Sequence, residues 1–150
     1  KIDGDTINYR LKKINNTSID SIHFETMGKA LSEVYKSGTG KLLKIPGIEV
    51  CGKSGTSENF TKINGVKTQL SDHSIFVAYA PKENPKIAIS VLVENAGYGS
   101  VWAGRIASLI IEKYLKEDIS LKKLEKLVVN KSLEKEYLKP YLGRPFKINQ

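Results

Sequence analysis

From residue 21 to residue 36 the chain reads SIHFETMGKALSEVYK, with Ile22, Met27, Leu31 and Val34 spaced to share one helical face. Asp20 or Ser21 supplies a cap at its start, and Ser37-Gly38-Thr39-Gly40 stops it. After Pro46-Gly47 a short strand is expected over 48–53, where Gly52 points to close approach of another group to the backbone. Residues 57–72 are polar and contain Asn64-Gly65, a strong turn signal, so they form a long hairpin connection. HSIFVAYAP and KIAISVLVEN are β-branched and aromatic and are separated by Lys82-Glu83-Asn84-Pro85, which predicts two more strands of an antiparallel meander.

The stretch 87–93 is apolar at nearly every position, as a strand covered on both faces would be. The first helix and VWAGRIASLIIEKYL, which follows the loop Ala96-Gly97-Tyr98-Gly99, are the layers expected to cover it. The pattern is helix, three strands, helix: an α+β fold with helices packed on an antiparallel sheet. Residues 1–20 read as an extended or looped lead-in. Residues 119–138 have helical spacing at Leu121, Leu124, Leu127 and Val128, and Pro140 and Pro145 end regular structure. This divides the chain into 1–116 and a basic helical tail, 117–150.

Composition narrows the function classes. At 150 residues the chain is about one domain's worth, with 40% hydrophobic and 27% charged residues, as in ordinary globular proteins. No apolar run approaches the roughly eighteen residues of a membrane helix, and KIDGDTINYR lacks the order of a signal peptide. The reading is a soluble chain whose anchor or signal belongs to a longer parent. One cysteine and two histidines supply neither a disulfide framework nor a zinc site, and no cofactor or metal is expected. The net charge of +8 invites an anionic partner. The lysines, however, are spread along the chain and mixed with glutamate, which describes a solvated surface, so no nucleic-acid partner is expected.

The chemistry concentrates in VCGKSGTS. The Lys53 ammonium provides a positive field, the Ser54 and Thr56 hydroxyls can donate to a carboxylate, and Gly55 leaves room for a substrate along the strand edge. Other candidates are weaker. Asp72 and His73 are adjacent on a strand and point to opposite faces, so His73 reads as structural; His23 reads as a surface or half-buried helix residue. Cys51 shares the strand face of Lys53, which could activate its thiol, although small size and burial explain it equally. Tyr98 and Trp102 could stack on a ligand but more often pack in a core or loop. Asp72, Glu94 and Glu58 form no paired-carboxylate site.

The order GIEVCGKSGTSE, polar connection, DHSIFVAYAP, NPKIAISVLVEN, glycine loop and apolar helix resembles the C-terminal half of the transpeptidase domain of class B, monofunctional penicillin-binding proteins, the penicillin-binding protein 2 group. The resemblance runs over about residues 20 to 116 and rests on Lys53-Ser54-Gly55-Thr56, Asp72-His73, Ala80-Pro81, Asn84-Pro85-Lys86 and Val93-Glu94-Asn95. It implies part of the serine β-lactamase/D,D-transpeptidase fold, and a parent that cross-links peptidoglycan stem peptides through an acyl-serine and binds β-lactams. Lys53 and Thr56 would then be catalytic, with Thr56 giving an oxyanion-hole N–H, and Ser54, Gly55, Thr56 and Ser57 would bind substrate.

The same resemblance implies a parent on the outer side of the bacterial cytoplasmic membrane, with the cell-elongation machinery as a partner. It also implies N-terminal strands of the domain beside 87–93; without them that strand exposes an edge, open to self-association or to cover by the tail.

The superfamily has a Ser-x-x-Lys motif and a second serine motif besides the lysine triad. Ser120-Leu121-Lys122-Lys123 and Ser132-Leu133-Glu134-Lys135 match the first literally but follow Lys53 in a charged tail, and Ser57-Glu58-Asn59 matches Ser-x-Asn in the wrong place. All three read as chance, which makes the chain a fragment lacking its nucleophile and inactive alone. Two alternatives stay open: a non-catalytic basic module for an anionic polymer or partner protein, and a β-lactam sensor or β-lactamase fragment.

Overall fold

The computed structural model describes residues 17–138. Helix α1 spans Ser21–Lys36, opened by the Asp20 carboxylate accepting from the Ile22 N–H at 3.1 Å. Strands β1 (Cys51–Ser57), β2 (Phe60–Ile63), β3 (Val66–Gln69), β4 (His73–Ala80) and β5 (Ile87–Val93) follow. Helices α2 (Ala103–Lys116), α3 (Lys122–Asn130) and α4 (Glu134–Leu138) complete the order. The main sheet is antiparallel in the order β1-β4-β5, and β2-β3 is a separate hairpin. The fold is α+β, as expected. Asn64 and Gly65 both take positive φ, 51° and 81°, the geometry a tight two-residue hairpin turn requires.

The two faces of the sheet follow from its register. Ser54 pairs with Phe76 and Phe76 with Val91, so Gly52, Ser54 and Thr56 share a face with Ser74, Phe76 and Ala78 and with Ile89, Val91 and Val93. Helix α2 packs on this face, burying Ala103, Ala107 and Ile111 against Phe76 and Ala78. Phe76 is fully buried, with the Tyr35 ring edge-on at 5.9 Å. A Cβ on Gly52 would lie 2.8 Å from the Val77 carbonyl oxygen and 3.0 Å from the Phe76 ring, so this glycine marks a close approach, as its sequence suggests.

Several boundaries and faces differ from the expected ones. The first strand begins at Cys51 and runs through the Lys-Ser-Gly-Thr motif, because β4 offers paired residues as far as His73. Lys53 is therefore inside the strand. The connection 57–72 holds the β2-β3 hairpin. The buried face of α1 is Gly28, Ser32 and Tyr35, while Ile22 and Met27 are more than half exposed. Gly28 without a side chain lets the helix approach β1, and its carbonyl accepts from the Cys51 thiol at 3.4 Å. Strand β5 is covered on one face only: Ile87, Ile89, Val91 and Val93 pack on the core, whereas Ala88, Ser90 and Leu92 are exposed. The cause is that α1 packs chiefly on β1, at the other side of the sheet. The expected tail helix is broken after Asn130. The lead-in over 1–16 and the prolines at 140 and 145 lie outside the described residues.

One buried carboxylate holds the tail to the body. Glu112 of α2 accepts from the Ser120 and Leu121 N–H groups, each at 3.1 Å, from the Ser120 hydroxyl, and from the Lys116 ammonium at 3.4 Å. Burial pushes its carboxyl up, but these hydrogen bonds and Lys116 outweigh that and leave it below its ordinary value of 4.5. The stabilisation is thus fully present above pH 4.5 and is lost as pH falls through the depressed pKa. Glu112→Gln is expected to lower stability by about 1–3 kcal/mol at neutral pH. In urea titrations the gap between wild type and variant should close in acid; equal midpoints at neutral pH would contradict this account.

Candidate active site

Lys53, Ser54, Gly55 and Thr56 occupy the middle of β1, which has β4 on one side and no strand on the other among the described residues. Alternation sends Lys53 to one face and Ser54 and Thr56 to the other. They can converge only at the free edge. There the Lys53 ammonium folds over and donates to the Ser54 carbonyl at 2.7 Å, with its side chain exposed. Two residues apart on one face, Ser54 and Thr56 lie about 7 Å from each other along the strand. That spacing suits two hydroxyls flanking one carboxylate.

Two partners of this strand were not identified from the sequence. Thr39, in the turn that ends α1, places its hydroxyl oxygen 3.2 Å from that of Ser54. Ser74, paired with Thr56, is fully buried; its hydroxyl donates to the Tyr98 carbonyl and accepts from the Ala103 N–H, both at 3.1 Å. Ser74 thereby fastens the loop 96–102 and the start of α2 behind the motif. Gly99 of that loop lies directly on the strand: a Cβ there would collide with the carbonyl oxygens of Ile75 and Gly55. The one local signal for these contacts was the glycine-flanked loop itself.

The remaining candidates have structural surroundings. His73 Nδ1 accepts from the Asn95 N–H at 3.2 Å, and His23 is exposed on α1. Asp72 does not orient His73; one of its carboxylate oxygens is buried with no hydrogen-bond partner. Cys51 is fully buried beneath α1. Trp102 is buried with the Lys131 ammonium 5.4 Å from its ring centre, whereas Tyr98 is 75% exposed and packs in no core. The serines and asparagine of the other literal motif matches are likewise occupied. Ser120 is held by Glu112, and the Ser132 hydroxyl accepts from the Glu134 N–H at 3.1 Å. Asn59 donates to the Ser71 carbonyl and to the Asn95 side chain. Ser57 ends β1 opposite His73.

A groove of about 410 Å³ opens on the face of the sheet away from α2, against Leu31, Val77, Tyr79, Ala88 and Ser90. It is apolar and takes in none of the motif side chains, so it suits packing rather than acyl chemistry. No group of three or more metal-ligating side chains occurs among the described residues.

Comparison with known proteins places this arrangement. The family model described as the penicillin binding protein transpeptidase domain matches residues 3–112. The peptidoglycan D,D-transpeptidase MrdA of Haemophilus influenzae is 42% identical over 89 residues, covering 54% of this chain and 14% of the relative. MrdA of Acinetobacter baumannii is 31% identical over 110 residues, covering 69% and 16%. The chain thus spans about a seventh of the length of these relatives. In structure it is similar to penicillin-binding protein A of Mycobacterium tuberculosis, solved as a ceftriaxone acyl-enzyme complex, with TM-score 0.50, 29% identity, and coverage of 59% of this chain and 20% of that one. With the family model matching the greater part of its length, the chain belongs to the penicillin-binding protein transpeptidase domain family.

Proposed function

We propose that this chain is the Lys-Ser-Gly-Thr wall of a peptidoglycan D,D-transpeptidase that cross-links stem peptides through an acyl-serine. The observation that carries the reading is the position of the motif: it lies on the free-edge strand of a sheet whose sequence matches the transpeptidase family model. Lys53 polarises the site and relays a proton, Ser54 and Thr56 bind the carboxylate of stem peptide or β-lactam, and Gly55 and Ser57 line the strand. In an antiparallel pair a residue's N–H and C=O point to the same side, and the side alternates along the strand. With the Ser54 carbonyl turned to Lys53, the Thr56 N–H falls on the same free edge, where an oxyanion would need it.

Residues 1–116 form the transpeptidase part in this reading and residues 117–150 a basic tail. The tail touches the body near the motif's sheet, where the Ser71 hydroxyl donates to Glu136 at 2.7 Å and the Tyr137 hydroxyl to the Glu94 carbonyl at 3.2 Å. None of the described helices is long and apolar enough to cross a membrane. The full-length protein would act on the outer side of the cytoplasmic membrane with the cell-elongation machinery, and the chain alone would self-associate along the outer edge of β5. The nucleophile is supplied by another segment of the full-length protein.

A fluorescent penicillin tests this directly. The full-length protein is expected to label covalently, and excess unlabelled penicillin should block it; the 150-residue chain is expected not to label. Covalent labelling of the chain would overturn the missing nucleophile, and failure of the full-length protein to label would overturn the transpeptidase reading.

A further inference from the structure

We infer that Thr39 is a positioning residue for carboxylate recognition: its hydroxyl donates to Ser54, fixing the Ser54 hydroxyl so that its own proton is directed at the carboxylate of the ligand. The inference rests on the transpeptidase reading, and deepens it by adding a residue outside the motif. Its basis is the 3.2 Å contact between the two hydroxyl oxygens, across fifteen residues of sequence.

The turn that carries Thr39 is built to hold a fixed position. The Ser37 and Gly38 N–H groups both donate to the Glu33 carbonyl, at 2.9 and 3.1 Å, and the Gly40 N–H donates to the Val34 carbonyl at 2.9 Å. The chain then turns again at once, with the Leu43 N–H on the Gly40 carbonyl at 2.8 Å. Gly40 is buried, and a Cβ there would lie 3.1 Å from the Val34 carbonyl oxygen, so the turn presses on α1. Helix α1 is itself fixed to the sheet through Tyr35, whose ring meets Phe76, the residue paired with Ser54. Thr39 and Ser54 are therefore referred to one rigid frame.

The chemistry follows from proton counting. A serine hydroxyl has one proton and can donate it once. If Ser54 gave that proton to Thr39, it would present only lone pairs to an anion and repel it. A carboxylate on Ser54 therefore selects the arrangement in which Thr39 donates to Ser54 and Ser54 donates to the carboxylate. Each bond in such a chain polarises the next, and the Ser54 rotamer is already set before the ligand arrives.

The test compares Thr39→Val with wild type in the full-length protein, separating the dissociation constant of the initial complex from the acylation rate constant. Benzylpenicillin and its methyl ester, which lacks the anionic carboxylate, serve as the two probes. Thr39→Val is expected to weaken the initial complex with benzylpenicillin by about two- to tenfold, the worth of one hydrogen bond. The acylation rate constant and binding of the ester should be unchanged, and Thr39→Ser should restore binding. In a Ser54→Ala background the Thr39→Val effect should disappear. Equal losses for benzylpenicillin and ester, or a loss that persists without Ser54, would show a merely structural role and overturn the inference while the transpeptidase reading stands. If wild type does not acylate at all, both fail.

Discussion

Lys53→Ala in the full-length protein is expected to slow acylation by a fluorescent penicillin by about 10²- to 10³-fold, the usual loss when a preorganised electrostatic group is removed from an acyl-transfer site. The folded state should hardly register the change. The Lys53 side chain is exposed, and its hydrogen bond runs to the Ser54 carbonyl at a free strand edge, where water can replace it. Substitutions at such positions usually stay within about 0.5 kcal/mol. Rate and stability should therefore separate: acylation collapses while the urea midpoint stays put. Lys53→Arg is expected to recover little. A guanidinium is planar, longer and permanently charged, and so cannot relay a proton as an ammonium can. Stopped-flow acylation at matched protein concentration measures this. A change of less than threefold for Lys53→Ala would remove Lys53 from the chemistry, and a parallel loss of stability would assign it a structural role instead.

What could be read from the sequence, and what could not, divides along the distance over which the deciding physics acts. The Asn64-Gly65 turn and the Asp20 cap are decided within four residues, and both lie where the sequence puts them. The motif is local too: four consecutive residues on one strand need no tertiary information to be seen together. Strand limits are not local. Cys51–Ser57 extends through the motif because an eight-residue β4 is there to pair with it, which a window on residues 48–53 cannot reveal.

The faces of α1 and β5 differ from the hydrophobic pattern for a related reason. Hydrophobicity tells which residues prefer burial but not which neighbour is present to bury them. Met27 and Leu92 are apolar and more than half exposed because the described residues bring no layer over them. Gly28 and Ser32, less apolar, are buried because a helix can approach a strand closely only through small side chains. Thr39 and Ser74 matter through contacts 15 to 29 residues away in sequence, and nothing in SGTG or DHSIF announces them. Ser74 in particular looks like a polar interruption in an apolar strand. In the fold it is the tie that fixes the glycine loop behind Gly55.

Phe76→Ala should give the largest loss of stability of any single substitution considered, about 3–5 kcal/mol. The usual spread of such values reflects how far the surroundings can collapse into the cavity, and here they can collapse little. One side of the ring is bounded by Gly52 and Gly104, whose approach is through backbone rather than movable side chains. The other side meets Tyr35, whose position is set by its own hydroxyl contact with Ser108 at 3.3 Å. The edge-on Tyr35–Phe76 contact is lost as well, a further increment of about 0.5–1.5 kcal/mol beyond the area term. The neighbouring Val77 provides the internal control. It occupies the same strand, points to the opposite face and is 46% exposed, so Val77→Ala should cost less than about 1 kcal/mol in the 150-residue chain. Urea denaturation of the three proteins measures both values. The expected order is a large loss at 76 and a small one at 77, alternating with the pleat. Equal losses at the two positions would mean that the middle of β4 is buried on both faces, and would contradict the exposure of Val77 on the face away from α2.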